Sequence, residues 1–428
     1  MSNSTTQEGD LWRLEPPALQ RLQLSRLNRL LETVKEREFY RSRLSDVELP
    51  LQSLDALASV PLLTKAEMVT DRAGPPGRLF DLPREQYLRF HQTSGTKGHP
   101  MPVLDTAEDW QWWLDCWRHV LRAAEVSTND IAMMAFSFGP FIGFWTANDA
   151  LLEEGAMVVP GGGMSSESRL RLIFEQGCTV VCCTPTYALH LIAVADKRSI
   201  DLKDSPVTRL IVAGEPGGSI PSIRSRIEEG WGARVVDHSG ASEIGAWGFG
   251  NLSGSGLHVI ETEFIAERLC FGASHPQGRP ADEGEPAELV LTGLGRYGGP
   301  AIRYRTGDIV KGYSSHDQPC RFLFLDGGVL GRADDMIVVR GVNVFPSSVE
   351  AIVREFTPTA EFRMIVEKDG EMDTLQVTIE LPEDHCHELA GRFQTRLAMR
   401  VDVRPVEPGS LPTFEGKSKR LIDNRAPT

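Results

Sequence analysis

The pattern along the chain predicts an α/β fold: a large N-terminal domain with parallel-rich sheets and helices, then a small α+β C-terminal domain. Three observations carry this expectation. From about residue 130, short apolar runs alternate with amphipathic stretches. The runs IAMMAFSF (131–138), AMVVPGG (156–162), TVVCCTP (179–185), RLIVAGEP (209–216) and ARVVDHSG (233–240) end in Gly, Pro or polar residues. Strands that are apolar throughout and separated by helices are the mark of a parallel sheet covered on both faces. After 323–335 the character changes to a compact alternation of strands and one long helix (EFRMIVEKD, TLQVTIEL, DHCHELAGRFQTRLAMR, VDVRPVE). A boundary at Asp334 therefore divides the chain into 1–333 and 334–428.

The remaining elements follow in order. Leucines at helical spacing predict one surface helix over 17–44. Residues 107–124 predict another, with Trp110, Trp113, Leu114, Trp117 and Leu121 on one stripe, the pattern of core or of a dimer face. Stretches 167–176 and 221–230 read as the helices between strands. In such sheets ligands collect at the carboxyl ends of the strands, so the polar residues closing the apolar runs are site candidates.

Bulk properties set the class. The 428 residues carry 45 Lys and Arg against 59 Asp and Glu, a net charge of −14, which opposes broad nucleic-acid binding. The start, MSNSTTQEGD, lacks the pattern of a signal peptide, and no run of 18 apolar residues suggests a membrane span. Seven cysteines, an odd number without a C-x-x-C pair, argue against a disulfide framework or a zinc site. Buried free thiols at Cys182 and Cys183 and a cytoplasmic setting are expected.

Five segments carry chemistry. In HQTSGTKGHPMPV (91–103), Thr93, Ser94, Gly95, Thr96, Lys97 and Gly98 form a hydroxyl-rich loop whose backbone N–H groups can turn to a phosphate, although the Walker order is absent. In DHSGASEIG (237–245), Glu243 follows a strand end, a sensible place for a Mg²⁺ ligand. In AIRYRTGDIV (301–310), Asp308 follows a Gly turn and can accept hydrogen bonds from ribose hydroxyls. GRADDMIVVRGVNVFPSSVE (331–350) begins with Gly-Arg, passes two carboxylates and reaches a helix start at Pro346. LPTFEGKSKRLIDNR (411–425) is a basic, Gly-flanked turn with Lys417, Lys419 and Arg420.

In this order and spacing the five segments resemble the adenylate-forming superfamily of acyl-CoA synthetases, nonribosomal adenylation domains and luciferases. The phenylacetate-CoA ligase family is the nearest match, through TPTYALHL (184–191), YRTGDI (304–309), GRADDMIVVRGVNVFPSSVE and EGKSKRLIDNR. The resemblance implies ATP-dependent activation of an aromatic carboxylic acid to an acyl-adenylate, then transfer to a thiol. The implied cofactors are ATP, Mg²⁺ and coenzyme A. It places the ATP phosphates on the 93–98 loop, Mg²⁺ at Glu243, the ribose at Asp308 and Arg332, and the adenine beside Gly214, Glu215 and Pro216. Lys417 would be the adenylation lysine and Asp334 the hinge of a mobile small domain, with Gly341 lining the passage for a pantetheine arm. Phe136, Phe138, Phe141 and Phe144 suit a flat acid, hydrophobic core being the alternative, and Ala213, His238 and Ser239 join them as acid-binding candidates.

The chain departs from the family at Ser239, where an aromatic residue is usual. His238 is then a candidate for contacting a polar ring substituent, or an ordinary strand-end histidine. His258, Cys270 and Cys320 are too scattered to complete the zinc cluster that some relatives carry. Expected partners are an aryl acid and either coenzyme A or a carrier-protein thiol, with no nucleic acid, no membrane, and a homodimer left open. The alternative activity stops at the adenylate or loads a carrier protein in natural-product biosynthesis.

Overall fold

The computed structural model describes residues 11–69, 76–93, 100–252, 254, 256–314, 320–333, 337–339, 342–357, 360–369, 372–397, 399–412 and 420–425. Ser94, Gly95, Thr96, Lys97, Gly98, Asp334, Gly341 and Lys417 lie outside the described residues.

The first helical stretch is two helices, α1 (Pro16–Val34) and α2 (Glu38–Arg43), not one. The leucine pattern runs through, but Arg37 is extended at φ −73°, ψ 143°. Its guanidinium is drawn into tertiary bonds with the carbonyls of Leu79, Tyr297 and Gly298, and those bonds override helix propensity. After the short α3 (Lys65–Met68) comes a two-stranded hairpin, β1 (Tyr87–Gln92) and β2 (Pro102–Thr106). The tryptophan helix α4 (Ala107–Ala123) starts on a capping box, Thr106 and Asp109 exchanging side-chain and backbone bonds. Its stripe is core: Trp110, Trp113, Leu114, Trp117 and Leu121 are all buried.

Then follow β3 (Ile131–Met134), α5 (Trp145–Glu154), β4 (Met157–Pro160), α6 (Ser166–Gln176), β5 (Val180–Cys183), α7 (Pro185–Lys197), β6 (Arg209–Val212), α8 (Pro221–Trp231) and β7 (Arg234–Ala241). The five strands β3–β7 pair in parallel, in the order β4-β3-β5-β6-β7. Helices α6, α7 and α8 cover one face over a core of Leu170, Ile173, Leu191, Ile227 and Trp231. Helices α1, α4 and α5 pack into the larger core on the other face.

The sheet does not stop there, and this half was not foreseen. Strands β8 (Gly245–Phe249), β9 (Gly256–Val259), β10 (Phe264–Gly272), β11 (His275–Pro280), β12 (Pro286–Gly293), β13 (Tyr304–Tyr313) and β14 (Phe324–Arg332) extend it antiparallel to twelve strands. β7 is the junction. It pairs in parallel with β6 up to Asp237, and antiparallel with β8 from His238 onward.

Residues from 337 on have their own core, which includes Val349, Phe362, Val377, Leu389 and Phe393. Its elements are β15 (Ile337–Val339), β16 (Val342–Val344), α9 (Pro346–Phe356), β17 (Phe362–Asp369), β18 (Met372–Ile379), α10 (Glu383–Leu397), β19 (Asp402–Pro405) and β20 (Leu421–Asp423), an α+β unit with sheet order β19-β18-β17-β20. Arg420 anchors the end of the basic segment by pairing with Glu350 and Glu361.

All seven cysteines are free, and six are buried. Burial pushes the thiols up, to about 11 for Cys178 and about 12 for Cys182 and Cys320, and well above normal for Cys116. Among the described residues no helix is long and apolar enough to cross a membrane. Nor does any group of three His, Cys, Asp or Glu side chains among them converge as a metal site.

Candidate active site

The site lies at the carboxyl ends of β3, β5, β6 and β7 and against β13 and β14. The neck of the 93–98 loop is held by Thr93, buried at 6% exposure. Its N–H donates to the Met101 carbonyl (2.9 Å), and its Oγ1 accepts from the Met101 N–H (3.1 Å). One residue earlier, the Gln92 N–H donates to the Pro140 carbonyl (2.7 Å), which ties the loop base to the aromatic segment 136–145.

A buried guanidinium clamps this hairpin to the next segment. Arg296, 1% exposed, donates from Nε to Asp105 on β2 (2.8 Å) and from Nη1 to the Ser242 carbonyl (2.7 Å). Ser242 precedes Glu243 in the β7–β8 turn. Gly245 closes that turn at φ +127°, and a Cβ there would stand 2.7 Å from Trp112.

Glu243 is buried, and its Oε1 is 2.7 Å from the Lys65 ammonium. Lys65 was missed in the sequence; it opens the short helix α3, on which Thr64 and Glu67 form a capping box. What delivers the lysine is tertiary. The Leu63 N–H donates to the Arg303 carbonyl, and the Arg305 N–H donates to the Leu63 carbonyl, both at 2.8 Å. Arg303, at φ +52°, is locked there by a two-pronged pair with Glu267.

Asp308 on β13 pairs in register with Arg332 on β14, whose Nη1 donates to Asp308 Oδ1 (2.8 Å) and to the Thr306 carbonyl (2.6 Å). Burial raises the pKa of Asp308, with Arg332 opposing the rise. Gly307 sits at φ +75°, a left-handed conformation that favours glycine. Tyr304 is buried among these groups, its phenol raised chiefly by burial and further by Glu243. Glu243, Asp308, Arg332 and Lys65 therefore share one electrostatic neighbourhood.

On the sheet's other half, Ala213 donates its N–H to the Cys183 carbonyl (3.2 Å), and Gly214 turns at φ +94°. The Glu215 carboxylate points back, accepting from the Thr186 N–H (2.7 Å) and hydroxyl (2.5 Å) at the start of α7. Pro216, next to it, is exposed. Phe136 packs on Phe138 (4.9 Å between centroids) and Phe144 (5.1 Å), and Phe144 neighbours Trp117 (6.1 Å). Phe141 stands apart at 47% exposure. His238 lies against Trp117 (4.3 Å), with Nδ1 2.8 Å from the Gly248 carbonyl, and Ser239 is half-buried beside a bulge at Gly240.

Asp237, just before His238, is buried and accepts from the Ser219 hydroxyl (2.5 Å). Burial pushes it up from 3.8 to about 6. A carboxyl group raised in the folded state contributes stability that is full below its unfolded pKa and lost as pH rises through its folded pKa. Compared with Asp237→Asn, the native protein should thus lose relative thermal stability as pH rises from below 3.8 through about 6. Melting curves that run parallel over that window would exclude this.

The described features are a buried carboxylate at a strand-end turn and a paired Asp–Arg on adjacent strands. Residues 341–425 match the model of the AMP-binding enzyme C-terminal domain. The chain is 30% identical over 427 residues to the phenylacetate-coenzyme A ligase of Escherichia coli, covering 95% of each, and 28% identical to that of Thermus thermophilus, covering 95% and 97%. It belongs to the phenylacetate-CoA ligase family and is an ATP-dependent, AMP-forming acid–thiol ligase. A solved 2-hydroxyisobutyryl-CoA ligase in the postadenylation state superposes with a TM-score of 0.86 at 25% identity, covering 96% of this chain and 91% of that one. The same enzyme in its thioesterification state superposes with a TM-score of 0.71 at 25% identity.

Proposed function

We propose that the protein activates an aryl carboxylic acid with ATP and transfers the acyl group to coenzyme A. The observation that carries the aryl assignment is the partly buried pair Phe136 and Phe138, packed at 4.9 Å and backed by the buried Phe144 and Trp117. Such a wall offers flat surfaces rather than a long tunnel. The relatives named for phenylacetate support the same class.

The residues divide the work. Asp308 accepts from the ribose hydroxyls, and Arg332 holds that carboxylate in place while reaching toward the phosphates. The 93–98 loop, stapled at Thr93, cradles the pyrophosphate portion. Glu243 is a buried carboxylate whose negative charge already attracts a cation, Lys65, so its chemistry fits Mg²⁺, which would neutralise phosphate charge when bound. Lys65 adds a second cation toward the leaving pyrophosphate. Lys417 serves the carboxylate and α-phosphate during adenylation, and rotation at Asp334 then withdraws it. The free buried thiols accord with a cytoplasmic setting. A carrier-protein thiol is the second acceptor to test.

ATP–pyrophosphate exchange should be stimulated far more by benzoates and phenylacetates than by acetate, 2-hydroxyisobutyrate or long-chain fatty acids. Exchange with an aliphatic acid equal to that with the best aryl acid would sink the assignment.

A further inference from the structure

The imidazole of His238 is a one-way reader. The ring is buried to 7% exposure, with Trp117 packed at 4.3 Å. Its Nδ1 lies 2.8 Å from the Gly248 carbonyl, and a carbonyl can only accept, so Nδ1 carries the proton. Burial lowers the ring's pKa to about 4, which leaves it neutral at physiological pH. Nε2 then holds a bare lone pair and can accept but not donate.

That nitrogen has no hydrogen-bond partner among the described residues, and it is not sealed from solvent. A Cβ built on the exposed Gly240 would stand 3.5 Å from it, so Nε2 lies toward Gly240 at the end of β7. Ser239 follows it on β7, and ring contacts run on from His238 through the buried Trp117 and Phe144 to the partly buried Phe136. A polar atom at one end of an aromatic wall orients a flat ligand through a ring substituent.

We propose that His238 selects aryl acids bearing a hydrogen-bond donor on the ring, a hydroxyl or primary amino group. The inference rests on the aryl-acid reading and sharpens it to a substrate class. An ether, halogen or nitro group at the same ring position offers the lone pair only another lone pair and is disfavoured. An unsubstituted ring leaves Nε2 without its partner.

The test is ATP–pyrophosphate exchange with the full-length enzyme on matched acids. Benzoate and phenylacetate are each compared unsubstituted and with hydroxyl, amino, methoxy or fluoro groups at every ring position. At one position the hydroxyl or amino acid should exceed its methoxy and unsubstituted counterparts in kcat/KM by about 10-fold or more, the scale of one hydrogen bond in a site built to make it. In His238→Phe, which keeps a flat ring against Trp117 and removes both nitrogens, that ratio should collapse to about one. Equal rates for hydroxyl and methoxy acids in the native enzyme overturn the proposal even if the variant does not fold. A ratio that persists in His238→Phe overturns it as well. If aryl acids are turned over without donor preference, only this inference fails. If aliphatic acids alone are turned over, the aryl reading fails with it.

Discussion

Lys417→Ala should slow acyl-adenylate formation by about 100-fold or more, the usual cost of removing one preorganised charged donor. The reason is electrostatic. A carboxylate must approach an α-phosphate that is also negative, and the ammonium offsets charge on the phosphoryl oxygens as the bond forms. ATP binding should survive, because the proposed roles assign it to the 93–98 loop, Asp308 and Arg332. Thioester formation from a supplied acyl-adenylate should survive too, if that step uses the different arrangement of the small domain that the proposed hinge implies. The related 2-hydroxyisobutyryl-CoA ligase has been solved in both postadenylation and thioesterification states. Lys417 belongs to the basic segment that Arg420 and β20 attach to the small domain, so it would travel with that domain. Asp334→Pro should show the opposite bias, as a fixed φ at the hinge impedes rotation more than the first step. The two half-reactions are assayed separately in each variant. Equal slowing of both steps by Lys417→Ala would refute the assignment.

Glu243→Gln should likewise lower adenylation by about 100-fold and remove its response to Mg²⁺ concentration. The amide keeps the shape of the carboxylate but not its charge. The 2.7 Å pair with Lys65 gives this prediction a second arm. Lys65→Ala should weaken binding of ATP and pyrophosphate by about 10-fold, on the scale of one charge-assisted contact, while leaving AMP binding intact. Calorimetric titration of ATP against AMP reads this without turnover. A purely structural lysine would lower thermal stability and shift both nucleotides alike. Because the two side chains touch, their effects should be non-additive in the double variant.

Asp308 and its partner Arg332 stood out as candidates because they sit in contiguous motifs. TGD reads as a Gly turn before Asp308, and Gly307 does take a left-handed φ of +75°. The parallel strands β3–β7 were legible from their uninterrupted apolar runs. The antiparallel half was not. The apolar run of β12 is buried along almost its whole length and gives no sign of whether its neighbours run with it or against it. Lys65 was invisible for a different reason: its approach to Glu243 depends on a backbone bridge from Leu63 to Tyr304, some 240 residues away in the chain. The break between α1 and α2 was hidden in the same way, since Arg37 finds three of its carbonyl partners far along the sequence.

The burial of the cysteines bears on fidelity. A mixed anhydride acylates whatever thiolate it meets, and this chain makes one a few strands from its own sulfurs. Cys183 ends β5, one residue before Thr184 at the start of α7, yet burial holds its thiol far above the range in which thiolate forms. The exception to burial, Cys270, is on β10, which pairs with β11 at the far edge of the sheet from β7. The protein is thereby a poor acceptor for its own product, and the acyl group waits for an external sulfur. Self-acylation should be confined to that remote thiol, and alkylating it should leave catalysis untouched.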